Sequence, residues 1–113
     1  MEKVKLQAQY GLYINGQWRD ASDGATYNAE SPADGSHLAV CAQGSREDVE
    51  AASAAAWEAF KTWKKTTPAQ RAALLNKIAD IIDANKEHLA MVESMDNGKP
   101  IRETMNVDIP MAA

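Results

Sequence analysis

The hydrophobic period of the chain changes at Ser45. Before that residue, short apolar runs are broken by turn-forming residues. After it, apolar side chains recur at steps of three and four. A period near two places side chains on alternate faces of a strand, whereas a period near 3.6 gathers them on one stripe of a helix. The order is therefore strands first and helices second. The 113 residues predict an α+β segment, with β-hairpins over about 12–42 and amphipathic helices over about 45–113.

The first hairpin is written around Asn15-Gly16, with Leu12, Tyr13 and Ile14 before it and Gln17, Trp18 and Arg19 after it. Both turn residues tolerate positive φ, as a two-residue type I′ turn requires. A second hairpin is predicted between Thr26–Glu30 and His37–Cys41, with Pro32-Ala33-Asp34-Gly35 in its loop. Proline presets φ early in such a loop and glycine takes the left-handed position late in it. Leu38 and Val40 alternate with Ala39 and Cys41, which predicts a strand with one face in a core.

Ser45 is a helix N-cap, with Asp48 placed in the first turn, where negative charge is favoured. Val49, Ala52, Ala56, Phe60 and Trp63 then form one apolar stripe. Thr67-Pro68-Ala69-Gln70 is a second start signal, because threonine caps, proline suits the first helical position and Gln70 completes a capping box. Leu74, Leu75, Ile78, Ile81 and Ile82 are read as the buried face behind it. Asn85 is read as capping a third helix, which carries Leu89, Val92 and Met95 and stops at Asn97-Gly98-Lys99-Pro100. Ile101–Ala113 opens another helical pattern and reads as an element cut short.

Composition excludes several classes of function. Net charge is −4, with lysine and arginine scattered along the chain, which argues against a nucleic-acid or anionic-membrane surface. The excess is carried by the first half: up to Ala56 there are eight acids and four bases, and from Trp57 onward eight of each. No apolar run approaches the ~18 residues of a membrane helix. One cysteine, Cys41, rules out an intrachain disulfide and a multi-cysteine zinc site, and suits the cytoplasm.

No catalytic constellation is legible. Cys41 lies among apolar neighbours of a predicted strand and reads as a small buried hydrophobe. His37 and His88 have no partner at metal-ligand spacing. Glu47, Asp48 and Glu50 read as helix N-terminal charge, and the glycines stand singly at turns, so no phosphate cradle is present. Trp18, Trp57 and Trp63 read as core, and Tyr10, Tyr13 and Tyr27 as hairpin packing residues.

Four stretches, in this order and at this spacing, resemble the N-terminal portion of the NAD(P)-dependent aldehyde dehydrogenase superfamily. They are LYINGQWRDA from Leu12, SPADG followed by HLAVCAQGSREDVEAA, AFKTWKKTTPAQRAALLNKIADIIDAN from Ala59, and ESMDNGKPIRET from Glu93. The run GKPIRETMNVDIP is most similar to bacterial members that oxidise short aliphatic aldehydes. Ser31-Pro32 stands where many members carry Asn-Pro, and serine preserves the turn entry.

The resemblance implies a parent enzyme whose cofactor domain is an α/β Rossmann-like fold. This chain would form its leading part, with residues 1–11 as an extension and 12–113 as an incomplete piece of that domain. The parent would use NAD or NADP, and no cofactor is expected on this segment alone. The family's nucleophilic cysteine, base glutamate and cofactor-binding residues match nothing here, so no catalytic or cofactor-binding residue is assigned. Its partners would be the remainder of the dehydrogenase chain and further copies in a homo-oligomer, with no nucleic acid and no membrane. Some members hold a monovalent cation between the strand before the turn and the aspartate of the DNGKP-like motif, which implies Glu30 and Asp96 here. Read from the residues alone, Asp96 instead hydrogen-bonds the Asn97-Gly98 turn. Such a segment is expected to be inactive alone, because the reacting groups lie elsewhere in the parent, and to fold poorly, because apolar helix faces such as Leu75, Ile78 and Ile82 need a covering sheet. The alternative is a non-catalytic interaction module that associates with a full-length dehydrogenase.

Overall fold

A computed structural model describes residues 4–113. Strands β1 (Gln9–Tyr10), β2 (Leu12–Ile14), β3 (Gln17–Arg19), β4 (Thr26–Glu30) and β5 (His37–Ala42) precede the helices. Then come α1 (Arg46–Trp63), α2 (Pro68–Ala84), α3 (Lys86–Asn97), α4 (Ile101–Glu103), a π-helical stretch (Thr104–Asp108) and α5 (Ile109–Ala112). The strands-then-helices order is as the sequence predicts. The chain falls into two compact units.

One unit comprises residues 7–29 and 39–66. Strands β2 and β3 pair antiparallel with Tyr13 opposite Trp18 and Ile14 opposite Gln17. Asn15 and Gly16 have φ of 53° and 76°, the pair of positive values a type I′ turn needs. The Tyr13 and Trp18 rings lie 5.0 Å apart between centroids. Strand β5 is central in a three-stranded sheet, with β4 on one side and β1 on the other. The β1 pairing is parallel and joins Gln9 to Val40 and Tyr10 to Cys41. It was not legible, because two residues show no period, and it lies within the stretch read as an N-terminal extension. The Gln43 N–H donates to the Ala25 carbonyl at 2.9 Å and closes the open end of the second hairpin.

The other unit comprises residues 4–6, 30–38 and 67–113. It holds the tip of that hairpin, where Ser31 N–H donates to Ser36 O at 2.9 Å, together with α2, α3 and the terminal helical run. Ala90 and Ile109 are its buried apolar residues, and Ser31 and Thr104 are buried polar ones. Ser94 and Thr104 share a hydroxyl–hydroxyl bond of 2.8 Å, and Thr104 Oγ1 also reaches the Ile101 carbonyl. The π-helical stretch ends beside Pro110, which has no N–H to give to the carbonyl four residues back.

Several burial expectations are overturned. Trp18 is 69% exposed, Trp57 70% and Trp63 43%, so none of the three is core. Val49 and Phe60 on α1, and Leu74, Leu75, Ile78 and Ile81 on α2, are exposed as well. Periodicity aligned these side chains correctly on a face, but among the described residues no layer covers that face. On β5 the buried residue is Ala39, at 3% exposure, while Leu38, Val40 and Cys41 are only half-buried.

Candidate functional site

The most organised polar cluster surrounds the start of α1. Ser45 is the N-cap in extended conformation, and a full capping box forms: its hydroxyl accepts from the Asp48 N–H at 3.3 Å, and Asp48 Oδ2 accepts from the Ser45 N–H at 2.9 Å. Asp48 is only 2% exposed. Its carboxylate also accepts from the Ser22 N–H at 3.1 Å, from the Ser45 hydroxyl at 3.0 Å and from Arg19 Nη2 at 3.0 Å, and the Ser45 oxygen in turn accepts from the Ser22 hydroxyl at 2.8 Å. The backbone N–H of Ser45 is the largest influence holding the acid ionised, followed on the same side by Ser22. Together they outweigh burial and lower the Asp48 pKa from 3.8 to about 2. Sequence reasoning placed Asp48 in the first turn but missed Arg19 and Ser22, which lie 29 and 26 residues away. Its chemistry is that of a clamp: an acceptor whose lone pairs are filled by local donors.

The second cluster lies where the tip of the second hairpin meets the end of α3. Gly98 closes α3 in left-handed conformation, with φ 76°, and its N–H donates to Ser94 O at 3.1 Å. A Cβ at Gly98 would stand 2.9 Å from Pro32 Cγ, so only glycine allows this approach. The turn is held by Asn97, whose Oδ1 accepts from the Lys99 N–H at 2.8 Å. That corrects the reading that gave this bond to Asp96. The Lys99 ammonium pairs with the Asp108 carboxylate at 2.5 Å, and this contact raises the lysine pKa above 10.5. A cavity of about 230 Å³ opens between Ser31, Leu38, Met91 and Met95.

The residues singled out from sequence are scattered. Glu30 ends β4 and Asp96 lies in the last turn of α3, both exposed. Among the described residues no group of three or more His, Cys, Asp or Glu side chains is placed to hold a metal ion. Cys41 is half-buried in β5, His37 begins that strand and His88 is exposed on α3. Asn85 holds the N-cap position of α3, where its carbonyl accepts the Leu89 N–H at 3.0 Å, but its side chain makes no cap bond and instead donates back to the Ile81 carbonyl at 2.8 Å.

A dinucleotide pyrophosphate is usually held by free N–H groups at a helix N-terminus. The two long helices do not fit it. The first turn of α1 is occupied by the Asp48 carboxylate, which would repel a phosphate. That of α2 is closed by the Thr67–Gln70 box, with Pro68 contributing no N–H.

The sequence model described as the aldehyde dehydrogenase family matches residues 18–113. The chain belongs to the aldehyde dehydrogenase family. The long-chain-aldehyde dehydrogenase of an Acinetobacter species is 44% identical over 110 residues, which cover 97% of this chain and 22% of that protein. The EPTC-inducible aldehyde dehydrogenase of Rhodococcus erythropolis is 42% identical over 109 residues, again 22% of its length. The crystal structure of PnpE in complex with nicotinamide adenine dinucleotide superposes with a TM-score of 0.89 at 42% identity, covering 93% of this chain and 22% of that one. The chain thus spans less than a quarter of these aldehyde dehydrogenases and corresponds to their N-terminal part. Among the described residues no helix is long and apolar enough to cross a membrane.

Proposed function

We propose that this chain serves as the N-terminal segment of an enzyme that oxidises an aldehyde to a carboxylic acid with NAD, and that it supplies scaffold rather than reacting groups. The observation that carries this reading is the family match over residues 18–113, combined with the close superposition on an NAD complex. The closed N-termini of α1 and α2 support assigning the cofactor's binding groups to the remainder of such an enzyme. The uncovered faces of α1 and α2 support packing against that remainder. Cytoplasmic location and assembly into a homo-oligomer belong to the same proposal.

The test is a graft. Residues 1–113 replace the matching segment of the Acinetobacter long-chain-aldehyde dehydrogenase, and NAD reduction is followed with a short and a long aliphatic aldehyde. The graft is expected to turn over, while the purified 113-residue chain does not. A folded graft without turnover, or turnover by the chain alone, contradicts the proposal.

A monovalent cation held by backbone oxygen near Glu30 and by the Asp96 carboxylate is part of this proposal, since oxygen donors suit a hard ion. Replacing potassium by tetramethylammonium should lower the melting temperature of the graft, and Asp96→Asn should abolish the difference. Equal melting temperatures in the two salts would remove Glu30 and Asp96 as a cation site.

A further inference from the structure

The chain contains the dipeptide Asn-Gly twice, at Asn15-Gly16 and Asn97-Gly98, and the fold treats the two in opposite ways. Asparagine followed by glycine is prone to self-attack, because no Cβ shields the glycine nitrogen. The reaction needs a free glycine N–H, an unengaged asparagine amide and a backbone that can turn one toward the other. At position 97 all three are withheld. The Gly98 N–H donates to Ser94 O at 3.1 Å, and Asn97 Oδ1 accepts from Lys99 N–H at 2.8 Å. Asn97 Nδ2 reaches Glu93 at 3.3 Å, and Pro32 stands against Gly98.

At position 15, among the described residues, no hydrogen bond engages the glycine nitrogen or the asparagine amide, and only the two-residue turn itself restrains the backbone. Both residues are exposed, and no atom lies within 4 Å of where a Gly16 Cβ would stand. Among the described residues Asn15 is the only non-glycine at positive φ, a region that asparagine enters more readily than other L-residues. We infer that Asn15-Gly16 is a site of spontaneous amide loss through a cyclic imide, that its isoaspartyl product unseats the β2–β3 hairpin, and that the fold protects Asn97-Gly98 from the same reaction.

The Gly16 nitrogen gives its proton to hydroxide and attacks Asn15 Cγ. The new C–N bond forms, the Cγ–Nδ2 bond breaks, and nitrogen leaves as ammonia after taking a proton from water. Water then adds to one of the two imide carbonyls and breaks its bond to the Gly16 nitrogen. Opening at one carbonyl yields aspartate. Opening at the other yields isoaspartate, with the former side-chain methylene now in the main chain. No oxidant or further reactant enters.

The added methylene falls inside a two-residue loop, whose length fixes the register of Ile14 with Gln17 and of Tyr13 with Trp18. The Tyr13–Trp18 ring contact is one step from the lesion, so Trp18 reports it.

The full chain is aged in mildly alkaline buffer, with and without strong denaturant, and both dipeptides are quantified by peptide mass analysis. In buffer Asn15 is expected to convert faster than Asn97 by roughly fivefold or more, the factor that one protecting hydrogen bond implies. In denaturant the two rates converge. Equal rates in buffer, or faster loss at Asn97, overturn the inference. Asn15→Asp adds the charge without lengthening the backbone, so its Trp18 emission should match that of the fresh chain while the isoaspartyl fraction shifts. The same shift in both would overturn the register argument.

Discussion

The helices α1 and α2 begin with the same local chemistry in two different settings. Ser45 and Asp48 at one start, and Thr67 and Gln70 at the other, form reciprocal capping boxes that satisfy the same orphan N–H groups. At α2 the box is exposed and serves only its own helix. At α1 the third box residue is a buried carboxylate that also draws in Arg19 and Ser22 from the preceding hairpin and turn. A cap becomes a tertiary anchor when its acid carries more acceptor capacity than the helix end uses and is removed from water.

Five measurements sharpen or break this contrast. Asp48→Ala should give the largest loss of stability in denaturant unfolding of the full chain, more than twice that of Thr67→Ala, because it strands buried N–H donors as well as the helix end. A loss no greater than that of Thr67→Ala would reduce Asp48 to an ordinary cap. The second measurement is pH dependence. The folded pKa of Asp48, about 2, lies below its ordinary value of 3.8, so its contribution is fully present above about pH 4 and is lost as pH falls toward 2. Asp48→Asn should flatten the stability profile across that window, whereas Gln70→Glu should leave the profile there unchanged in sign. Thr67→Ala should cost about 1 kcal/mol, the usual worth of an N-cap side chain. Ser45→Ala should cost more, since Ser45 also bonds the Ser22 hydroxyl at 2.8 Å. The smallest effect belongs to Arg46→Ala, which breaks an exposed pair with Glu50 and should cost under about 0.5 kcal/mol.

What the sequence made legible was local. The Asn15-Gly16 turn, the left-handed Gly35 and Gly98, and the Thr67-Pro68-Gln70 start each depend on residues within four positions of one another. Features that need a distant partner were not legible. Arg19 was read as the end of a strand, because nothing within the hairpin shows that Asp48 will meet it. Asn85 reads as a forward cap, yet its side chain turns back to the Ile81 carbonyl, which also accepts the Asn85 backbone N–H at 3.2 Å. The stripes on α1 and α2 show the limit most plainly, since a period of 3.6 states which side chains share a face and is silent about what covers it. Pro110 was the available signal for the π-helical stretch, because an N–H is missing there. Glu30 and Asp96 came from family resemblance alone, as two acids 66 positions apart (96 − 30) have no spacing that marks a cation site.

The central claim is that this segment contributes framework to an aldehyde dehydrogenase and no reacting thiol. Its sharpest test is the turnover of the grafted enzyme carrying Cys41→Ala, read as NADH formation per active site. The account predicts kcat equal to that of the graft with Cys41 intact. A folded graft that binds NAD but loses its kcat with this one thiol would contradict it.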